Sequence, residues 1–247
     1  MDELFDIYNQ LLTERINYHR SFNAFGEDSI RYDFYAAIMR LYGLQPYQII
    51  LEQPIPPSQF EQRVREVARG RGRHEDKPEF DLRVDPGGLM NEGLIVEFGY
   101  FRTPEFASNQ DKPGKHGKLL NELFRLALLK HFRLYNNHRC FFICVTDSEM
   151  INYGAQGVQG PQALSIQNNY VLDENFLNRL SDTSRNKIQE RFYNKARELN
   201  IIPTARRIKL INNPSNNIIG QWQIWVWEVN FINQPCNSDS AYRQSLN

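Results

Sequence analysis

The chain has 247 residues, 41% hydrophobic and 23% charged, the composition of an ordinary globular protein rather than a disordered or fibrous one. Its 29 Lys and Arg balance 29 Asp and Glu, which excludes a global basic field for drawing in nucleic acid or anionic membrane, so any polyanion site must be built locally. The start, MDELFDIYNQ, lacks a signal-peptide h-region, no apolar run reaches a membrane span, and 3 cysteines are too few for a disulfide framework; the expectation is a cytoplasmic protein whose Cys140 and Cys144 are reduced and buried.

Residues 2–18 and about 27–43 read as helices. The second carries Ile30, Phe34, Ala37, Ile38 and Leu41 on one face and stops at Gly43. QIILEQPIP reads as a strand ended by prolines, and residues 59–77 as a helix running into a basic, Gly-interrupted loop. Two strands joined by turn-rich sequence follow at 77–101, then a polar loop over 104–114. KHGKLLNELFRLALLKHF is an amphipathic helix with Leu119, Leu120, Leu123, Leu126 and Ala127 as its stripe. RCFFICVT (139–146) is apolar throughout, as a strand covered on both faces would be. A long polar loop is expected over 147–170, one or two helices over 173–199, strands at RRIKLI and WQIWVWEVNF, and a frayed tail from Asn233. One domain is expected. Trp222, Trp225 and Trp227 lie in a run apolar on both faces, which favours core packing over base stacking.

The stretch KPEFDLRVDPGGLMNEGLIVEFGYF carries the chemistry. Strand parity puts Phe80, Leu82 and Val84 on one face and Asp81 and Arg83 on the other, and in the second strand Ile95, Glu97 and Gly99 share a face. A hairpin symmetric about Leu89 sets Asp81 opposite Glu97, with Cβ atoms about 5 Å apart. Carboxylates that close repel unless a proton or cation lies between them, and Mg²⁺ suits the spacing. The plain alternative is an acid at an exposed strand end, or one paired with Arg83.

PEFD, then GLIVEFG, then the amphipathic helix and RCFFICVT resemble the PD-(D/E)XK superfamily of restriction-endonuclease-like nucleases. The resemblance implies an α/β fold with a mixed sheet flanked by helices and an αβββαβ core over about 27–146, extended within the same domain by helices and strands of about 147–232. It implies Mg²⁺-dependent DNA hydrolysis (Mn²⁺ as substitute), with Asp81 and Glu97 as metal ligands and a Lys two residues after Glu97 assisting the attacking water. That position is Gly99.

Three readings of Gly99 stand open. The cation comes from elsewhere, from Lys118 or Lys115, into space left by the missing Cβ; the site is lost and the domain only binds nucleic acid or a protein; or glycine was introduced to disarm a nuclease. Lys118, Glu122 and Arg125 share a helical face, which otherwise reads as a solvated face with one Lys–Glu pair. Glu27 is a further metal candidate, or an acid complementing a helix N-terminus. For nucleic acid, Arg69, Arg71, Arg73 and Lys77 precede the first acid, Arg102 and Lys112 follow the second, and Arg206, Arg207 and Lys209 form a smaller cluster. The expected partner is double-stranded DNA, cut by a homodimer.

Overall fold

A computed structural model describes residues 1–21, 24–55, 79–102, 112–147, 167–180, 182–186, 188–214 and 220–234. The basic segment after Gln59, most of the loop expected at 147–170 and the tail beyond Gln234 lie outside these.

Helix α1 (Asp2–His19) buries Leu4, Phe5, Tyr8, Leu12 and Ile16, and α2 (Glu27–Tyr42) buries Ile30, Phe34, Ala37 and Ile38. The spacing is that of one helical face in each case. Helix α2 ends at Gly43 with φ 64°, a left-handed cap that glycine adopts without a Cβ penalty. Arg15 donates from Nε and Nη2 to both oxygens of the buried Asp33, each at 2.7 Å, and so fixes α1 on α2.

Strands β1 (Ile49–Pro54), β2 (Glu79–Val84) and β3 (Gly93–Phe101) form an antiparallel meander. Helix α3 (Lys112–His131) then leads to β4 (His138–Asp147), which runs parallel to β3. Beyond it come β5 (Asn169–Val171), three short helices α4 (Glu174–Asn178), α5 (Asp182–Arg185) and α6 (Glu190–Glu198), and the long antiparallel pair β6 (Ile201–Asn213) and β7 (Trp222–Asn233). The result is an α/β protein whose 7-stranded mixed sheet has the order β1-β2-β3-β4-β7-β6-β5. The region expected to hold one or two helices is thus broken into shorter ones, and the strand expected at RRIKLI starts earlier, at Ile201.

One face of the sheet packs on α1 and α2 through Leu82, Val84, Val96, Phe98, Phe141 and Ile143. The other packs on α3, α4 and α6 through Ile95, Cys140, Phe142, Cys144 and Trp227. Both faces of β3 and β4 are therefore covered, which is why RCFFICVT and GLIVEF read as nearly continuous apolar runs. The three tryptophans are buried, with Trp227 stacked on Phe142 at 5.9 Å between ring centres. Cys140 and Cys144 are buried free thiols. Among the described residues no helix is long and apolar enough to cross a membrane.

The register places Pro54 beside Glu79, Phe101 beside Thr146, and Asp147 and Asn213 beside Trp222. These strand ends fall at one end of the sheet.

Candidate functional site

The hairpin has the register its sequence implied. Gly87 and Met90 exchange backbone hydrogen bonds across a tight turn with Gly88 at φ 58°, and Val84, Arg83 and Leu82 pair with Leu94, Ile95 and Val96. Continued one step, that register sets Asp81 against Glu97. The ladder ends before this step: β3 stays paired with β4 as far as Phe101, whereas its described pairing with β2 stops at Leu82. Asp81 sits where the strands part, and its Oδ2 accepts a hydrogen bond of 2.8 Å from the Phe98 N–H.

One expectation of parity fails here. Phe80 does not share a cluster with Leu82 and Val84 but packs on the α3 side, edge-on to Tyr135 at 5.2 Å. The neighbouring strand is irregular at the same level: Glu52 of β1, which falls between the pairs Leu51–Leu82 and Gln53–Phe80, has φ 51°, a left-handed backbone inside a strand. Its carboxylate lies 3.1 Å from Arg31.

Residues from both covering layers reach the parting of β2 and β3. From α2, Arg31 Nη2 contacts Asp81 Oδ1 at 2.9 Å and Glu27 at 3.2 Å, while its Nη1 contacts Glu52 and, at 3.3 Å, Asp28. From α3, Lys118 Nζ donates to both oxygens of Glu27, at 2.8 and 3.0 Å. Two turns further along, Arg125 is ion-paired with both Glu97 and Glu122. The charged groups form a chain, Lys118, Glu27, Arg31, Asp81, Glu97, Arg125, Glu122, in which cations and acids alternate except where the two acids Asp81 and Glu97 meet; it runs from a rim where Lys118 is 40% exposed to a floor where Glu97 is fully buried. The face of Lys118, Glu122 and Arg125 is thus turned onto the acids, not solvated with a lone Lys–Glu pair. Glu27 serves both readings given above, as an acid in the first turn of α2 and as a member of the cluster.

Burial pushes Glu97 well above the ordinary carboxylate range; Arg125 opposes the shift, and Asp81, within hydrogen-bonding reach, and Glu122 add to it. Glu122 is raised by the same burial. Arg125 remains a cation because the neighbouring carboxylates outweigh its own desolvation. A single guanidinium is shared between two buried carboxylates, so burial favours the protonated form of one of them unless a further cation is bound.

Gly99 is not an opening. A Cβ built there lies 2.8 Å from Phe142 Cζ and 3.1 Å from Phe101 Cε1, so aromatic rings fill the position. The expected space for an incoming lysine is absent. Lys115 points elsewhere, donating to the Arg102 carbonyl, and Arg102 donates to the Phe25 carbonyl at 3.2 Å while lying over Tyr100. Lys112 opens α3, with its side chain outside the described set, and Arg69, Arg71, Arg73 and Lys77 also lie outside it. Of the late basic cluster, Lys209 is paired with Asp2 and Asp6, and Arg207 lies over Trp225 at 4.9 Å. Arg31 was missed in the sequence because nothing in helix spacing says which residue of α2 faces a strand 50 positions away.

Among the described residues no group of three or more His, Cys, Asp or Glu side chains is disposed to hold a metal. The donor set nevertheless fits a hard divalent ion that keeps most of its waters. Asp81 lies within hydrogen-bonding reach of Glu97, whose Oε2 meets Arg125 while its Oε1 is buried with no hydrogen-bond donor. Comparison with protein-family profiles, with characterised proteins and with solved structures gives no match.

Proposed function

We propose that the chain is a Mg²⁺-dependent deoxyribonuclease of restriction-endonuclease-like fold, with Mn²⁺ as a substitute, hydrolysing phosphodiester bonds of double-stranded DNA in the cytoplasm. One observation carries the reading: Asp81 and Glu97 meet where β2 leaves β3, with Glu97 fully buried, its Oε2 on Arg125 and its Oε1 lacking a donor. The order α2, β1, β2, β3, α3, β4 supports the fold assignment, and the strand ends Pro54, Glu79, Phe101, Asp147, Asn213 and Trp222, which share the Asp81 end of the sheet, suit a long ligand laid across that end.

Asp81 and Glu97 would hold the ion, with Glu27 at the rim. When bound, it would polarise a phosphate oxygen and acidify a water. Arg125 fixes Glu97 from below, and the Phe98 N–H fixes Asp81. Lys118 stands at the mouth on Glu27, placed to meet incoming phosphate. In hydrolysis the water oxygen bonds to phosphorus, the P–O ester bond breaks, and a proton lost by the water is matched by one gained by the leaving alkoxide. Cutting two antiparallel strands suits a two-fold homodimer.

The test is incubation of mixed plasmid and phage DNA with the protein, Asp81→Ala and Glu97→Gln, in Mg²⁺, Mn²⁺ or EDTA. Cleavage by the wild type alone, abolished by EDTA, is expected. Equal cleavage by the variants, or none by a folded wild type, would sink the reading. A second reading, a nuclease-fold domain that only binds nucleic acid or protein, is favoured by the rings at Gly99 and by an arginine on each acid. Salt-dependent DNA affinity without cleavage would select it.

A further inference from the structure

The geometry points to Arg31 as the residue that contacts the scissile phosphate and supplies the site's positive charge in the absence of a lysine at position 99; this deepens the nuclease reading and rests on it. Position 99 is closed by Phe142 and Phe101, Lys115 is turned to the Arg102 carbonyl, and Lys118 is held by both oxygens of Glu27. Among the described residues Arg31 is the cation in ion-pair contact with Asp81.

Its environment suits a movable phosphate clamp. The side chain is 19% exposed, sheltered enough for its charge to act in a low dielectric yet not sealed from solvent. Two of its carboxylate partners, Asp28 and Glu52, are 74% and 65% exposed, so water screens their hold. Its Nε–H is buried with no acceptor. A planar fork with a spare donor matches two non-bridging phosphate oxygens in a way that an ammonium does not. Arg31 and a divalent ion also draw on the same group, the Asp81 carboxylate. With Asp81 committed to an ion, Arg31 keeps its tether to Glu27 and turns its released donor to the phosphate. It stays protonated throughout and transfers no proton; it stabilises charge on the oxygens while water replaces the leaving alkoxide at phosphorus.

Arg31→Met and Arg31→Lys of the full chain separate this role from a structural one. Three quantities are read: Mn²⁺ affinity by calorimetry, kcat and KM for plasmid cleavage, and thermal unfolding in EDTA. Arg31→Met is expected to bind Mn²⁺ as tightly as wild type or tighter, because a cation has left the ion's neighbourhood. Its kcat is expected to fall on the order of 100-fold or more, with Arg31→Lys regaining part of the loss. Opposite movement of the two readouts is the signature, since a purely structural arginine would lose both together. The inference is overturned if Arg31→Met keeps kcat within about threefold of wild type, or if Mn²⁺ binding and cleavage fail in parallel. Should Arg31→Met not fold, Arg31→Lys decides: a fall in kcat of more than about tenfold at unchanged Mn²⁺ affinity supports the fork, and full activity removes it. A folded wild type that cleaves no DNA removes the nuclease reading and this inference together, whereas an active wild type matched by Arg31→Met removes the inference alone.

Discussion

A methyl group added at Gly99 would meet Phe142 Cζ at 2.8 Å, and that ring is packed in turn against Trp227 and Phe101. Gly99→Ala is therefore expected to destabilise by about 1–3 kcal/mol, read as a lowered urea midpoint. Gly99→Lys should be no milder and should not raise cleavage; a gain in activity from it would show that the rings yield and that glycine is the lesion. Glu97 gives a pH signature at the same scale. Burial raises its folded value, so the folded state keeps a proton that the unfolded chain releases near pH 4.3. Stability is complete below that value and falls as pH rises towards the folded one. In EDTA, wild type should lose stability relative to Glu97→Gln as pH rises above about 4.3, measured by urea titration at each pH. A difference independent of pH would mean Glu97 is ionised in the fold. Glu122, raised by the same burial, keeps part of the slope in both proteins.

Among the elements, α1 and α2 are joined by the Arg15–Asp33 pair as well as by apolar packing, with Asp33 buried and Arg15 only partly so. Asp33→Asn should cost about 1.5–3 kcal/mol in chemical denaturation, the range for hydrogen bonds to charged groups. A loss under about 0.5 kcal/mol would show that the pair is screened by water. Leu123 of α3 is fully buried beneath the face that carries Glu122 and Arg125. Leu123→Ala is expected to cost about 2–5 kcal/mol while leaving Mn²⁺ affinity unchanged at temperatures where the variant is folded. Loss of Mn²⁺ binding in the folded variant would mean that α3 itself must be held rigid for the acids to meet.

For the whole molecule, an ion that binds only the folded chain must raise its stability. Mn²⁺ at about 100 times its dissociation constant should add about 2.7 kcal/mol, seen as a higher melting temperature and lost in Asp81→Ala. No shift in wild type would remove the divalent-ion reading. With 29 basic and 29 acidic residues in balance, DNA affinity has to come from local cations, so it should fall steeply as salt rises even though the net charge is zero.

Alternation, helical periodicity and turn chemistry are local, and what they govern was legible in the sequence: the two N-terminal helices, the hairpin register, the α3 stripe, the buried β4 and the core placement of the tryptophans. The hairpin register alone brought Asp81 to Glu97, because a tight turn counts residues outward in pairs. The tertiary structure decided the rest. Phe80 packs on the α3 side, rings from β3 and β4 closed Gly99, and helices from opposite faces delivered Arg31 and Arg125 to the two acids. These depend on which distant surfaces pack together, and no periodicity along one segment encodes the partner it will meet.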